Sequence, residues 1–283
     1  MSLSLDHIGL VGPHLAALEA TYARLGFRVA PRCELLSVDA QGGTTPMGQS
    51  NSHLIFGDTY VELTAVEGEI AGHHLERAVS RYWGLHIIVM RSADAEADQQ
   101  ALARAGSLAP DVARAARHVA YPDASGTARF KWFRIPEAEF PDAFLCMVQH
   151  LDAGLVFNAA LNTHPNGARD LRAITLLSDD PARTAGRFAG VSRARAAEMP
   201  GGWAGSFANA RLLALGPEEM AARYPGVALP GSPWFAGFTV ASDDLEATAA
   251  YFAASGIPAR REAGRLWLDP AETGGAIIEF VRA

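Results

Sequence analysis

Cysteine is scarce: two thiols, Cys33 and Cys146, occur in 283 residues. They are too few for a disulfide framework or a zinc ribbon, so a reducing compartment, the cytoplasm, is the expectation. Basic charge is short as well, with 24 Lys plus Arg against 31 Asp plus Glu and a net charge of −7. No basic cluster offers the footprint that a nucleic-acid backbone needs, and nucleic acid is excluded as a partner on that ground. No apolar run reaches the ~18 residues of a membrane span, and the first seven residues, MSLSLDH, place an acid where a secretion signal has a basic start. No membrane partner is expected. A Gly-rich phosphate loop, a Walker motif and a Gly-x-Ser-x-Gly elbow are also missing, which removes nucleotide hydrolysis and serine-hydrolase chemistry.

What the chain has is apolar substance and repetition. Apolar residues make up 49%, enough for two domains of roughly 140 residues each. Residues 3–11 (LSLDHIGLV) alternate as a strand does, and residues 15–25 follow with helical spacing up to Gly26. Strand-like pieces at 28–36, 52–56 and 59–66 complete a β-α-β-β-β unit. The order returns from 85 (LHIIVM), from 171 (LRAITLL) and from 235 (FAGFTV), the last two each followed by Ser-Asp-Asp. Asp180 and Asp244 in those tripeptides are expected to cap helices by accepting orphan backbone N–H groups. The turn-rich stretch 152–169 divides the chain into 1–155 and 168–283.

Four such modules resemble the vicinal oxygen chelate superfamily of glyoxalases, extradiol dioxygenases, epimerases and bleomycin-resistance proteins. Gly43-Thr44-Thr45 and Asn51-Ser52-His53 add a likeness to glyoxalase-like domains. The resemblance implies an α+β fold in which four βαβββ modules form two paired cup-shaped mixed-sheet domains. It also implies a divalent metal (Zn, Mn, Ni, Fe or Mg) held by the first and last strands of each module.

On that pattern His7 is the first-strand ligand, and Glu62 in TYVELT is the last-strand carboxylate, with Tyr60, Glu62 and Thr64 on one face and Val61 and Leu63 on the other. His86 stands in module two where His7 stands in module one. The fourth ligand is Gln149 in the register that matches Val148 to Val61, or His150 if a bulge shifts it. Glu62 doubles as the candidate catalytic base. Asn51, His53, Arg129, Lys131 and Trp132 are the candidate substrate-binding residues, although Arg129 and Lys131 alternate with Phe130 and Trp132 and also suit a solvated charge row. His73 and His74 read as surface residues. In the second half Ala173 and Gly237 occupy the His7 position and only Glu279 matches Glu62, so no metal is expected there.

The function expected is a metal-dependent glyoxalase-like enzyme (lyase, isomerase or dioxygenase type) acting on a small oxygenated organic substrate. The alternative is a metal-free protein that binds or sequesters a small molecule. A homodimer is the expected assembly.

Overall fold

The computed structural model describes residues 2–262 and 264–283. The first half contains β1 (Ser4–Val11), α1 (Leu15–Arg24), β2 (Cys33–Val38), β3 (Thr44–Phe56) and β4 (Thr59–Val66). After a short α2 (Glu76–Val79), the order repeats as β5 (Gly84–Arg91), α3 (Ala95–Arg104), β6 (Ala113–Ala120), β7 (Ser125–Arg134) and β8 (Phe144–His150). These eight strands close into a barrel in the order β1-β4-β3-β2-β6-β7-β8-β5. β1 runs parallel to β4 and antiparallel to β5, so the two modules meet about the central pair Ile8↔Ile88.

Alternation sorts each strand as its sequence requires. Val61 and Leu63 point outward into the main core with Leu15, Leu18 and Tyr22 of α1, while Tyr60 and Glu62 point inward. α1 stops where Gly26 takes a φ of +80°, a conformation a side chain resists.

The second half repeats the scheme twice. β9 (Ala168–Leu177), α4 (Pro181–Ser192), β10 (Ala196–Met199), β11 (Gly202–Ser206) and β12 (Arg211–Leu215) form the third module. After α5 (Pro217–Arg223) come β13 (Trp234–Ser242), α6 (Leu245–Ala254), β14 (Ala259–Glu262), β15 (Arg265–Leu268), a one-turn α7 (Pro270–Thr273) and β16 (Ile277–Arg282). Asp180 and Asp244 cap α4 and α6 as expected. This sheet stays open, in the order β10-β11-β12-β9-β13-β16-β15-β14. Its concave face is filled: Met220 of α5 and the following Tyr224 pack with Trp234 and Trp267.

The halves share one core, in which Phe27 and Phe280 stack with centroids 6.2 Å apart. Asn209 clips the backbone of Leu5 from both sides, accepting from its N–H at 2.8 Å and donating to its carbonyl at 3.0 Å. The connecting segment is packed too, because His164 accepts from the Arg28 N–H and donates to the Ile55 carbonyl, both at 2.9 Å.

Candidate active site

Two bulges decide which side chains enter the barrel. Against β5 the register of β1 passes from Leu5↔Met90 to His7↔Val89, leaving Asp6 as an extra residue, and from Gly9↔Ile87 to Leu10↔Leu85, leaving His86 as the extra residue of β5. A bulge breaks strict alternation, so Asp6 joins its neighbour His7 inside. Asp6 is wholly buried; its Oδ1 accepts from His7 Nδ1 at 2.7 Å and from His150 Nε2 at 2.9 Å, and its Oδ2 accepts from Arg91 Nε at 2.8 Å. Burial opposes ionisation of Asp6, but the bonds from His150 and His7 prevail and hold the carboxyl well below the usual range. An ionised carboxylate only accepts, so His7 donates through Nδ1 and keeps its lone pair on Nε2. The His7 ring lines the cup, stacked on Tyr60 at 4.2 Å.

A second charged pair lies beside it. Glu62 on β4 pairs with His53 on β3 across the sheet, and Arg117 enters from β6 with only 3% of its surface exposed. Arg117 Nη1 lies 2.8 Å from His53 Nε2 and 3.7 Å from Glu62 Oε2. Thr64 Oγ1 donates to Glu62 Oε1 at 2.8 Å and itself accepts from Asn51 Nδ2 at 2.9 Å. Guanidinium only donates, so His53 Nε2 is the acceptor and the His53 proton sits on Nδ1, a buried atom without a partner. Burial and the Arg117 charge push His53 down to about 4, which keeps it neutral at pH 7. Burial works to raise Glu62, yet its polar surroundings pull it down to about 2; with His53 Nε2 turned to Arg117, the donors that reach the carboxylate are Thr64 Oγ1 and the Arg117 guanidinium. Two carboxylates, Asp6 and Glu62, are thus matched by two guanidinium groups, Arg91 and Arg117, and the interior is close to neutral.

The cup is a small cavity of about 80 Å³ that opens to solvent on one side. Its polar wall is His7, Gln49, Tyr60, Glu62, Arg117 and His150; its apolar wall is Ile87, Val89, Phe130, Trp132, Phe144 and Val148. Such a cavity suits a small molecule with an oxygenated end and an apolar body.

Several sequence expectations need correcting. His86 is the counterpart of Asp6, and Ile87, the counterpart of His7, takes the place in the cup wall that a first-strand ligand would need. His86 donates through Nε2 to the Tyr82 carbonyl at 2.8 Å and faces an adjoining cavity. On β8, His150 faces inward, while Gln149 points out to cap α3, accepting from the Ala95 N–H at 3.1 Å and donating to the Ala93 carbonyl at 3.0 Å. Arg129 is exposed and paired with Asp152, and Lys131 reaches Glu96 on the helix side, so the solvated charge row is what the strand forms. Trp132 lines the cup, His53 and Asn51 are buried in its wall, and His74, expected at the surface, lines its mouth. Asp6, Arg91 and Arg117 went unread. Arg117 carried one signal, a cation between Ala115 and Val119 on the inward face of a strand.

A divalent ion needs at least three convergent donors. Among the described residues no three His, Cys, Asp or Glu side chains form such a group. Of the imidazoles of His7, His53 and His150 only His7 turns a free lone pair, on Nε2, to the open space: His150 Nε2 is taken by Asp6, His53 Nε2 faces Arg117, and a fixed cation already stands beside Glu62. Two positions that the chelate pattern would use, Ile87 and Cys146 (the counterpart of Glu62), are a hydrocarbon and a thiol raised by burial. The residues present do not fit a metal.

No curated protein sequence matches the chain. Among solved structures, a hypothetical protein from Staphylococcus aureus is similar at 11% identity and TM-score 0.67, covering 99% of this chain and 100% of its own. A mutant of 4-hydroxymandelate synthase from Streptomyces coelicolor is similar at 11% identity and TM-score 0.55, over 99% of this chain and 92% of its own. A xylose isomerase-like TIM barrel/4-hydroxyphenylpyruvate dioxygenase fusion protein matches at 14% identity and TM-score 0.56 over 100% of this chain, which spans 49% of the fusion. These likenesses show the fold. The model of the glyoxalase-like domain family matches residues 5–192, and with four βαβββ modules and a closed first cup the chain belongs to that family, within the vicinal oxygen chelate superfamily.

Proposed function

We propose that the first cup binds a small oxygenated organic molecule and moves a proton on it without a metal, as an isomerase or lyase does. One observation carries this reading: buried Asp6 holds His7 Nδ1 at 2.7 Å, which leaves Nε2 as a base in the cup that Arg117 also lines. His7 Nε2 takes a proton from a carbon next to a carbonyl, and Asp6 steadies the imidazolium that forms. Arg117 faces the oxygen that gains charge, a fixed cation itself buried in the cup wall. In an isomerisation the proton returns to the neighbouring carbon while the hydroxyl proton passes to the former carbonyl oxygen; in an elimination the enolate's electron pair expels a leaving group from the β-carbon, which departs with the proton held by His7. Glu62, held ionised by Arg117, is a weak base and serves to fix that guanidinium. A metal-dependent form, with His7 and Glu62 as ligands, has less support because Arg117 stands where the ion's charge would.

The test follows loss of α-proton NMR signals in D₂O over a panel of small 2-oxo acids, hydroxyketones and aldehydes, with protein dialysed against EDTA. Exchange should persist after dialysis and fall by at least about a hundredfold in His7→Ala. Exchange that disappears with EDTA and returns with added metal would refute the metal-free reading. The aromatic wall of Phe130, Trp132 and Phe144 favours a second reading, a sequestering protein, for which the same panel shows binding without exchange. A cytoplasmic location and a homodimer accompany both readings as proposals. No helix among the described residues is long and apolar enough to cross a membrane.

A further inference from the structure

A second cavity of about 180 Å³ adjoins the cup, and His74 and Phe144 line both. The inward face of β7 runs from one to the other: Phe130 and Trp132 line the cup, and Arg134, two residues on, lines the second cavity. Arg81 and His86 complete its basic side. His86 is 3% exposed, its Nε2 donates to the Tyr82 carbonyl and burial pushes it down to about 4, so the ring is neutral and the positive charge of the cavity comes from its arginines. Of the two carboxylates in the lining one is paired and the other is bonded through one oxygen, its Oδ2 having no hydrogen-bond partner. Glu137 pairs with Arg77 at 2.9 Å; Asp142 accepts from Thr184 Oγ1 at 2.7 Å and lies 3.8 Å from Arg187. Arg81 donates to the Pro233 carbonyl, and among the described residues neither Arg81 nor Arg134 has a carboxylate partner.

We infer that this cavity is an anion subsite for the molecule bound in the cup, which makes the ligand an amphipathic acid, a carboxylate or a phosphate monoester. Its apolar body lies along Trp132 and Phe144, and its anionic group reaches Arg134 and Arg81. Two cations without counter-ions in a concave site next to an apolar wall are a recognition device for an anionic oxygen group. The inference rests on the cup being the ligand site, and it names the ligand class that the proton-transfer reading leaves open.

The experiment titrates 4-phenylbutyrate, 3-phenylpropyl phosphate and the neutral 4-phenylbutan-1-ol into the full-length protein by calorimetry at low and moderate salt. At least one anion should bind about tenfold or more tighter than the alcohol, with an advantage that shrinks as salt rises, and the larger advantage identifies the group. Arg134→Gln and Arg81→Gln should each reduce that advantage while leaving the alcohol's affinity unchanged. Equal affinity for anions and alcohol, an advantage untouched in both variants, or no binding of any of the three would overturn the subsite. The probes carry no proton activated by a ketone or aldehyde, so the exchange test with His7→Ala judges the catalytic reading separately.

Discussion

Replacing Arg117 by Met tests the arrangement at its centre. The guanidinium is buried, and its removal leaves the Glu62 carboxylate, 7% exposed, with Thr64 Oγ1 as its one close donor. Breaking a buried pair from one side costs about 3–5 kcal/mol, because the remaining charge stays in a poor solvent. The carboxyl gives a figure of similar size: held at about 2 against an ordinary 4.5, it contributes about 3 kcal/mol. A depressed carboxyl stabilises the fold above its unfolded pKa, so this contribution is complete above pH 4.5 and is lost as pH falls toward 2. Arg117→Met should therefore lower stability by about 3 kcal/mol at pH 7, a deficit that shrinks in acid as the stranded carboxylate takes up a proton. Glu62→Gln alone strands the cation instead. The double variant removes both charges and should be less destabilised than the two singles added together, by about 2 kcal/mol or more. Urea midpoints followed by tryptophan fluorescence, with slopes checked for constancy, supply all four corners of the cycle. Additivity within ~0.5 kcal/mol would refute the pairing. The Arg117→Met protein also provides a metal test, since Zn(II) retention above that of the unaltered protein is expected once the cation is gone.

Three further outcomes follow from the same geometry. Gln149→Ala should cost about 1 kcal/mol through the lost α3 cap and leave cup ligands bound as before, whereas His150→Ala should weaken them by loosening Asp6; parallel calorimetry and melting curves decide. His164 uses both ring nitrogens as a neutral imidazole and is pushed down to about 4 by burial, so unfolded chains take up its proton first as pH falls below 6.5. Stability should then decline from pH 6.5 toward 4, and His164→Gln should flatten that slope by about one proton in urea titrations. Residues 1–155 expressed alone should aggregate, since Phe27 and its neighbours lose the partners supplied by Phe252 and Phe280; a monodisperse, cooperatively melting fragment would count against the shared core.

The modules were legible because their signals are local. Alternation in TYVELT placed Tyr60, Glu62 and Thr64 together, and the strand–helix punctuation placed Asp180 and Asp244 at helix starts. The same likeness misled at His86. DHIGLV and LHIIVM match by eye with the histidines aligned, but the symmetry of the barrel runs through Ile8 and Ile88, and the two bulges make Asp6 and His86 equivalent. A bulge leaves no mark in a single sequence, because it is set by how two strands 80 residues apart meet. It also decided Asp6, which strict alternation would send to the opposite face from His7. Arg91 and Arg117 were hidden for a related reason: each finds its carboxylate partner on a strand distant in sequence.

The second cup shows what separates a site from a filled core. Glu279 occupies the position of Glu62 and is buried like it, and it too is answered by guanidinium, with Arg223 and Arg265 each at 2.9 Å and Thr239 Oγ1 at 2.7 Å. Charge compensation alone therefore makes no active site, since both cups have it. What differs is the first strand and the space in front of it. Ala173 brings no nitrogen there, and at Gly237 a Cβ would lie 2.3 Å from the Ile277 carbonyl oxygen, so that backbone approach bars any larger side chain. Tyr224 then occupies the ground before Glu279, its ring packed against Trp267. In the first cup the equivalent ground is open, and a histidine held by a buried aspartate faces it. On the proposed reading, the pairing of open space with His7 and Asp6 is what puts the chemistry in the first half, while a compensated carboxylate is common to both halves.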